Sequence, residues 1–381
     1  MKRYYFDHNA TTPVSPEVFQ AMAPVMTEVY GNASSIHHFG QTARQKLDEA
    51  RRHVAALLGA APEEIVFTSG GTEADNLAIL GAAREGHVIT AAVEHPAVLG
   101  SVAQCAHSTI VPVDGNGLAD PDDIRRALRP DTKLISVMHA NNETGTIQRI
   151  EEIARIAAEA GVPFHSDGVQ AAAKIPVDVH ALGVMTYSIT AHKFYGPKGA
   201  GALFVRKGTP LAPILFGGHH ERDRRPGTEN VPGAVGLGRA AQWVAEHGTA
   251  EGRRLECLRN RLEEAVLRSI PDVHINGAGS PRIPNTSNLR FDGIESEPLL
   301  IALDLRGFAV SSGSACSSGA SAPSHVLKAI GLTREQARSS LRISLGRSND
   351  ESQVDALVGA LADSVAHLRR IAPHPTTPAY A

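Results

Sequence analysis

Between about residues 60 and 206, short apolar runs alternate with segments of helical period. "EEIVFTSGG" reads as a strand running into a turn, and "TEADNLAILGAAREG" as a helix. "HVITAAVEH", "STIVPVD" and "TKLISVMHANNETG" read as strands, the last ending in a polar loop. In "IEEIARIAAEAG" the apolar positions 150, 153, 156 and 157 share one helical face, and Gly161 supplies the residue that ends such a helix. "VPFHSDG", "TYSITAHK" and "GALFVRKG" are further strands. The alternation predicts an α/β fold: a mostly parallel sheet covered by helices on both faces.

Around 237–270 the pattern becomes one long helix, "AEGRRLECLRNRLEEAVLRSI" within it, followed by strands, a Ser/Gly-rich stretch and a last helix, "DESQVDALVGALADSVAHLRRI". A chain of 381 residues exceeds one ordinary core. The division expected is an N-terminal arm, 1–15, packing with the small domain; a large domain, 16–250; and a smaller α+β domain, 251–371. The Pro/Thr-rich tail, 372–381, reads as extended or frayed. No tandem repeat of 20 to 50 residues is visible.

A composition of 42% hydrophobic and 20% charged residues, with a formal net charge of −3, fits a globular enzyme and offers no basic excess for nucleic acid. The N-terminus has no apolar core of a secretory signal, and no window approaches a membrane span. The expected location is cytoplasmic, with no membrane or direct nucleic-acid partner. Cys105, Cys257 and Cys316 are too few and scattered for a disulfide framework or a CxxC zinc site. Cys105 and Cys257 read as packing residues. Cys316 sits in "VSSGSACSSGASAPSHV", where half of the fourteen residues from Ser311 to Ser324 are serine. Such a stretch can neither bury a face nor hold a period, and it reads as a mobile loop, 311–324, carrying a thiol.

In open α/β sheets ligands collect at the carboxyl ends of the strands. Those ends carry Ser69-Gly70-Gly71-Thr72, Glu94-His95, Asn141-Asn142-Glu143-Thr144, Asp167 to Gln170, and Thr190 to Lys193. In "TSGGTEADN", small residues at a strand-to-helix turn let backbone N–H groups approach an anion, although a GGT turn also serves as an ordinary tight turn. The stretch is neither GxGxxG nor a Walker A sequence, which argues against dinucleotides and nucleoside triphosphates. Lys193 stands directly after an apolar strand, and Asp167 ends the neighbouring predicted strand. An amine, an acid and a phosphate cradle on one sheet edge are the minimum set for pyridoxal phosphate: the lysine forms the Schiff base and the acid keeps the ring nitrogen protonated. His95 can stack on such a ring and exchange protons.

These residues resemble the cysteine desulfurases, fold-type I pyridoxal-phosphate enzymes of the class V aminotransferase group. The resemblance covers nearly the whole chain, through "YFDHNATTPV", "GNASSIHHFG", "FTSGGTEADNLAI", "EHPAVL", "NNETGT", "HSDGVQAAAKIPVDV", "ITAHKFYGPKGAGALFV", "HERDRRPGTEN", "SSGSACSSG" and "SLRISLGR" in the family's order. It implies that Lys193 is the Schiff-base lysine, that Asp167 partners the pyridine nitrogen and that Gln170 reaches the phenolic oxygen. Gly71, Thr72, Thr190 and His192 hold the phosphate, and His95 stacks on the ring. Thr228 reaches the phosphate of the other subunit, implying a homodimer with shared sites. Arg342, with Asn142, clamps the carboxylate of L-cysteine, a task that suits a bidentate guanidinium. Position 190 is threonine where serine is commoner, which keeps the hydroxyl. "GGHHERDRRPGTEN" carries an extra histidine and more charge than the family pattern, leaving the roles of His219 and Arg225 open.

The activity implied is conversion of L-cysteine to L-alanine: Lys193 takes the Cα proton, and Cys316 as thiolate attacks the substrate sulfur and becomes a persulfide. The persulfide then passes to an acceptor protein. Iron–sulfur cluster assembly is the commonest role in the family, and thio-modification of tRNA or DNA begins with the same persulfide. Within the fold, an aminotransferase or a selenocysteine lyase remains an alternative. A metal hydrolase built on His165, Asp167, His192 and the paired histidines is a reading of another class, but their spacing matches no standard zinc pattern. A catalytically silent scaffold for sulfur-trafficking proteins is opposed by the joint presence of Lys193, Asp167, Cys316 and Arg342.

Overall fold

The computed structural model describes residues 2–312 and 323–371, so Cys316, most of its Ser/Gly stretch and the tail lie outside the described residues. The strands are β1 (Tyr4–Tyr5), β2 (Ile65–Thr68), β3 (His87–Ala91), β4 (His107–Val111), β5 (Thr132–Ser136), β6 (Phe164–Asp167), β7 (Thr186–Thr190), β8 (Gly201–Val205), β9 (Val273–Ile275), β10 (Thr286–Phe291), β11 (Phe308–Ala309) and β12 (Ser340–Ser344). The helices are α1 (Pro16–Thr27), α2 (His38–Leu58), α3 (Gly71–Ala83), α4 (Pro96–Val102), α5 (Pro121–Ala127), α6 (Ile150–Glu159), α7 (Val231–Ser269), α8 (Ser296–Leu305), α9 (His325–Ala329), α10 (Arg334–Arg338) and α11 (Glu351–Ile371).

The alternating region forms a seven-stranded sheet in the order β2-β8-β7-β6-β5-β3-β4. The strands from β7 to β4 pair in parallel, while β8 is antiparallel to both β7 and β2. The segment joining β7 to β8 is too short for a helical crossover, so the chain turns back on itself there, and Lys193 lies in that turn. Every residue of β2, β3, β6, β7 and β8 is buried, as in a sheet with both faces covered. Because β3 pairs with β4 on one side and β5 on the other, the chain reverses its progress across the sheet between them. Such a switch point opens a crevice at the strands' carboxyl ends, where His95 and Asn142 follow.

The second sheet is antiparallel, in the order β12-β10-β9. Its core joins Leu289, Phe291, Leu341 and Ile343 to Leu299 and Leu303 of α8 and to Val354, Leu357, Leu361 and Val365 along one face of α11. Each such side chain taken out of water contributes about 1.5–3 kcal/mol. Helix α7 serves both cores: Val231, Leu237, Ala241 and Val244 pack in the first, Leu255, Leu258, Leu262 and Val266 in the second. It begins earlier than its apolar period indicated, because Asn230 caps it through Gly233 N–H (3.0 Å) and Pro232 occupies its first turn.

The N-terminal segment lies along the second sheet. β1 pairs in parallel with β11, and the chain beyond it runs beside β12, with His8 N–H donating to Ser344 O (3.2 Å) and Ser344 N–H to Phe6 O (2.8 Å). Residues 7–12 then cross to the turn that holds Lys193, where Thr12 N–H donates to His192 O (2.8 Å).

Candidate active site

β6 and β7 are adjacent, with Asp167 opposite Ser188, so Asp167 and Lys193 emerge at the same sheet edge. Asp167 is buried and accepts from Val169 N–H (2.9 Å). Burial, reinforced by the carboxyl of Asp75, pushes its pKa up from 3.8 to about 6. A cationic N–H placed against it would restore the ionised form. Asp75, fully buried on α3, is itself raised to about 7 by desolvation and lies 3.3 Å from His165 Nε2. Lys193 ends the short turn Ala191–Lys193, is half-buried, and donates from Nζ to the carbonyls of Asn9 (2.6 Å) and Ala10 (2.9 Å).

His95 stands at the start of α4, and its Nδ1 accepts from Ala97 N–H (3.1 Å). That bond assigns the proton of the neutral ring to Nε2. Burial, aided by the cation of Lys193 and opposed by Asp167, lowers its pKa and keeps the ring neutral.

Between β2 and α3, a Cβ on Gly71 would come within 2.8 Å of Val169 Cγ2, and one on Gly201 within 2.7 Å of Gly70 Cα. Only glycines allow this approach, and Gly70, the cap position before α3, has no side chain to bond the helix's first N–H groups, leaving them open to an anion. Thr190 Oγ1 lies 3.8 Å from where a Cβ on Gly70 would stand, and donates to Ala200 O (3.2 Å). Thr72 is exposed beside it. His192 pairs through Nδ1 with Thr11 Oγ1 (3.2 Å), and burial, with Lys193 and Lys198, lowers its pKa to about 4. Exposed Thr228 shares a cavity of about 150 Å³ with Ser69, Gly201 and Arg225.

Arg225, whose role the sequence left open, braces the cradle: its Nε donates to Glu73 Oε1 (2.8 Å), and Glu73 Oε2 accepts from Ser69 N–H (2.9 Å). His219 is exposed and pairs with Asp223. The loop before Thr228 runs through three residues of positive φ, Glu221 (46°), Arg222 (58°) and Asp223 (64°). Each costs about 1–2 kcal/mol. The buried Glu221 carboxylate offsets this by accepting from Arg51 (2.7 and 2.6 Å) and from Phe67 N–H (2.9 Å).

Gln170 Nε2 donates to Asn9 O (3.0 Å), and its Oε1 accepts from Lys174 Nζ. Arg342, buried on β12, is held by Asp7 Oδ1 (2.8 Å) and by the carbonyl of Asn142 (3.0 Å). Its Nε–H has no acceptor among the described residues. An unsatisfied guanidinium N–H in a buried site fits an incoming carboxylate.

Both described flanks of the Cys316 stretch attach here. Ser311 exchanges backbone hydrogen bonds with Arg342 (2.6 and 3.1 Å). On the far side Ser324 Oγ donates to Glu143 Oε2 (2.6 Å), and His325 Nε2 pairs with Glu94 O (2.8 Å). Glu143 and Glu94 are the chain neighbours of Asn142 and His95. Cys316 itself lies outside the described residues.

Residues of the hydrolase reading have other partners: His165 engages Thr186 and Asp75, and His192 engages Thr11. Among the described residues no three His, Cys, Asp or Glu side chains gather as a metal site. Sequence reasoning passed over Asp7, Asn9 and Lys174. The first two stand in "DHNATT", where no period marks them, and Lys174 follows the apolar run of "VQAAAK".

The glycine cradle, the buried acid and the half-buried amine fit pyridoxal phosphate. A family model described as "Aminotransferase class-V" matches residues 4–357. The chain is 47% identical to "Cysteine desulfurase IscS" of Dictyoglomus turgidum (strain DSM 6724 / Z-1310), over 98% of each chain. Among solved structures, a "NIFS-LIKE PROTEIN" superposes with a TM-score of 0.89 at 36% identity, covering 96% of this chain and 100% of that one. "SspA in complex with cysteine" does so at 0.80 and 36% identity, covering 90% and 98%. With a fold-type I architecture and identity at this level over nearly its whole length, the chain belongs to the cysteine desulfurases of the class-V aminotransferase family.

Proposed function

We propose that this cysteine desulfurase removes the sulfur of L-cysteine by the division of labour set out above and carries it on Cys316. Pyridoxal phosphate, when bound, supplies an electron sink that acidifies the substrate's Cα. Gly71, Thr72, Thr190 and His192 hold its phosphate, Thr228 reaches the phosphate of a second subunit, Asp167 faces its ring nitrogen, Gln170 its phenolic oxygen, and His95 its ring face.

Arg342 takes the substrate carboxylate, with Asn142 beside it. Lys193 accepts the Cα proton, and neutral His95 carries protons through Nε2–H. The Cys316 thiolate attacks the substrate sulfur; the S–S bond forms as the C–S bond breaks, whose electron pair stays on the carbon and is protonated on the way to alanine. L-Cysteine and one thiol thus become alanine and one persulfide. The observation that carries this reading is the attachment of both flanks of the Cys316 stretch to the substrate side of the site, at Arg342 and at Glu143 and Glu94.

The acceptor proposed is a protein of iron–sulfur cluster assembly. A homodimer is supported by exposed Phe19, Met26, Tyr30, Ile36 and Phe39 on α1, the segment after it and the start of α2. Ile36→Glu with Phe39→Glu should shift the sedimentation coefficient toward a monomer, and an unchanged value would remove that support. No helix among the described residues is long and apolar enough to cross a membrane.

The test is turnover of L-cysteine with a thiol reductant. Alanine and sulfide should form one to one, and Cys316→Ser should stop both while keeping the bound cofactor's absorbance. A keto acid product, or full desulfuration by Cys316→Ser, would contradict the reading.

A further inference from the structure

The crossing of the N-terminal segment through the site has a consequence for Lys193. Asn9 is 1% exposed, and every polar atom of its side chain is used. Nδ2 donates to Asn142 O (3.1 Å) and Thr286 Oγ1 (2.8 Å), while Oδ1 accepts from Lys174 Nζ (2.8 Å) and Asn285 Nδ2 (3.1 Å). Its backbone N–H donates to Ser344 Oγ (2.9 Å). These partners come from both sheets' domains, so the peptide units on either side of Asn9 are fixed in orientation from several directions.

The result is a pair of carbonyls, Asn9 and Ala10, that converge on Lys193 Nζ. An ammonium carries three donors and no acceptor, and charge-assisted bonds are about twice as strong as neutral ones. Two fixed carbonyl oxygens therefore favour the protonated amine over the neutral one. Lys174 adds rigidity, since its Nζ spans Asn9 Oδ1 and Gln170 Oε1, and Gln170 in turn donates to the same Asn9 carbonyl. Burial and the neighbouring cations Lys193 and Arg342 hold Lys174 well below its usual pKa.

We propose that the carbonyls of Asn9 and Ala10 form a dock for the ammonium of Lys193, with the Asn9 side chain and Lys174 as positioning groups that hold the dock in place. The proposal rests on reading Lys193 as the base. In that step the lysine lone pair takes the Cα proton, the Cα–H electron pair stays with the substrate, and the new ammonium settles against the two carbonyls. A dock that stabilises the protonated amine adds driving force to proton removal without touching the substrate carboxylate. It should therefore act on kcat and leave KM alone.

Asn9→Ala and Lys174→Met, with Lys174→Arg as the conservative control, test the dock in the full-length protein. The first readout needs no turnover. In the cofactor-depleted protein, competitive acetylation of Lys193 by acetic anhydride, mapped by peptide mass, should rise about tenfold in Asn9→Ala and less in Lys174→Met, because a docked ammonium resists acylation. The second is exchange of the L-cysteine Cα hydrogen with deuterated solvent in the holoenzyme. It should fall with kcat by about tenfold in Asn9→Ala at unchanged cofactor content, and by less, at unchanged KM, in Lys174→Met, which leaves the Asn9 bond to Asn142 in place. Lys174→Arg should recover most of both signals. Unchanged Lys193 acetylation in both variants would overturn the dock. So would variants that lose only thermal stability or bound cofactor. Raised acetylation with unchanged Cα exchange would overturn its catalytic role. Borohydride reduction of the holoenzyme that marks a lysine other than Lys193 would instead overturn the reading on which the proposal rests.

Discussion

The large sheet and the N-terminal segment with β12 supply two walls of the candidate site by different means. Asp167 and Thr190 end, and His95 and Lys193 follow, strands that are buried throughout, so their positions are set by the packing of a single sheet. Asp7, Asn9 and Arg342 come from chain segments up to 335 positions apart and are held by hydrogen bonds between elements. The first wall has the donors and acid suited to a cofactor, the second the cation suited to a substrate carboxylate. Damage to the second wall should therefore spare cofactor binding, whereas damage to the first should not spare catalysis.

The largest expected effect lies on the sheet wall. Lys193→Ala should reduce alanine formation by about 10³-fold, measured at saturating L-cysteine. Activity within tenfold of the native chain would break the assignment of that wall. On the other wall, Arg342→Lys should cost about 2–3 kcal/mol in kcat/KM through the lost fork geometry. Cofactor content, read by absorbance, should not change, and its loss would erase the distinction between the walls.

Asp167 sharpens the comparison through pH. Its folded pKa, about 6, lies above the unfolded 3.8, so the folded state binds this proton more tightly. Below about pH 3 the group costs no stability; the cost grows as pH rises from about 4 to 6 and is complete above that. In the cofactor-depleted protein Asp167→Asn should therefore add about 3 kcal/mol to unfolding stability at pH 7 and almost nothing at about pH 3, measured by denaturant titration. An equal effect at both pH values would refute this cause. The smallest effect concerns the flank of the thiol stretch. Ser324→Ala removes both the bond to Glu143 and the cap of α9, and should cost about 1 kcal/mol of stability with a few-fold slower sulfur transfer. Unchanged stability together with unchanged sulfur transfer in that variant would contradict this role of the flank.

The sheet wall was legible because apolar runs and their polar ends mark strands, and strand ends mark sites. The direction of β8 was not legible, since periodicity carries no sense of direction; the short Lys193 turn decides it. Asn9 and Lys174 gave no local signal, because their part in the site arises from contacts 165 positions apart that exist only once the chain has folded. Arg342 looked like an ordinary surface arginine apart from the family resemblance, yet it alternates with buried Leu341 and Ile343 and faces the other side of β12. The Ser/Gly surroundings of Cys316 suggest only a loop carrying a thiol, its expected role in sulfur transfer comes from the family resemblance, and Cys316 lies outside the described residues.

The most direct test of the central claim is the mass of the reductant-free holoenzyme after brief exposure to L-cysteine, followed by peptide mapping. A gain of one sulfur on Cys316 is the expected result. No gain while alanine forms, or a sulfur carried instead by exposed Cys257 or half-buried Cys105, would contradict it.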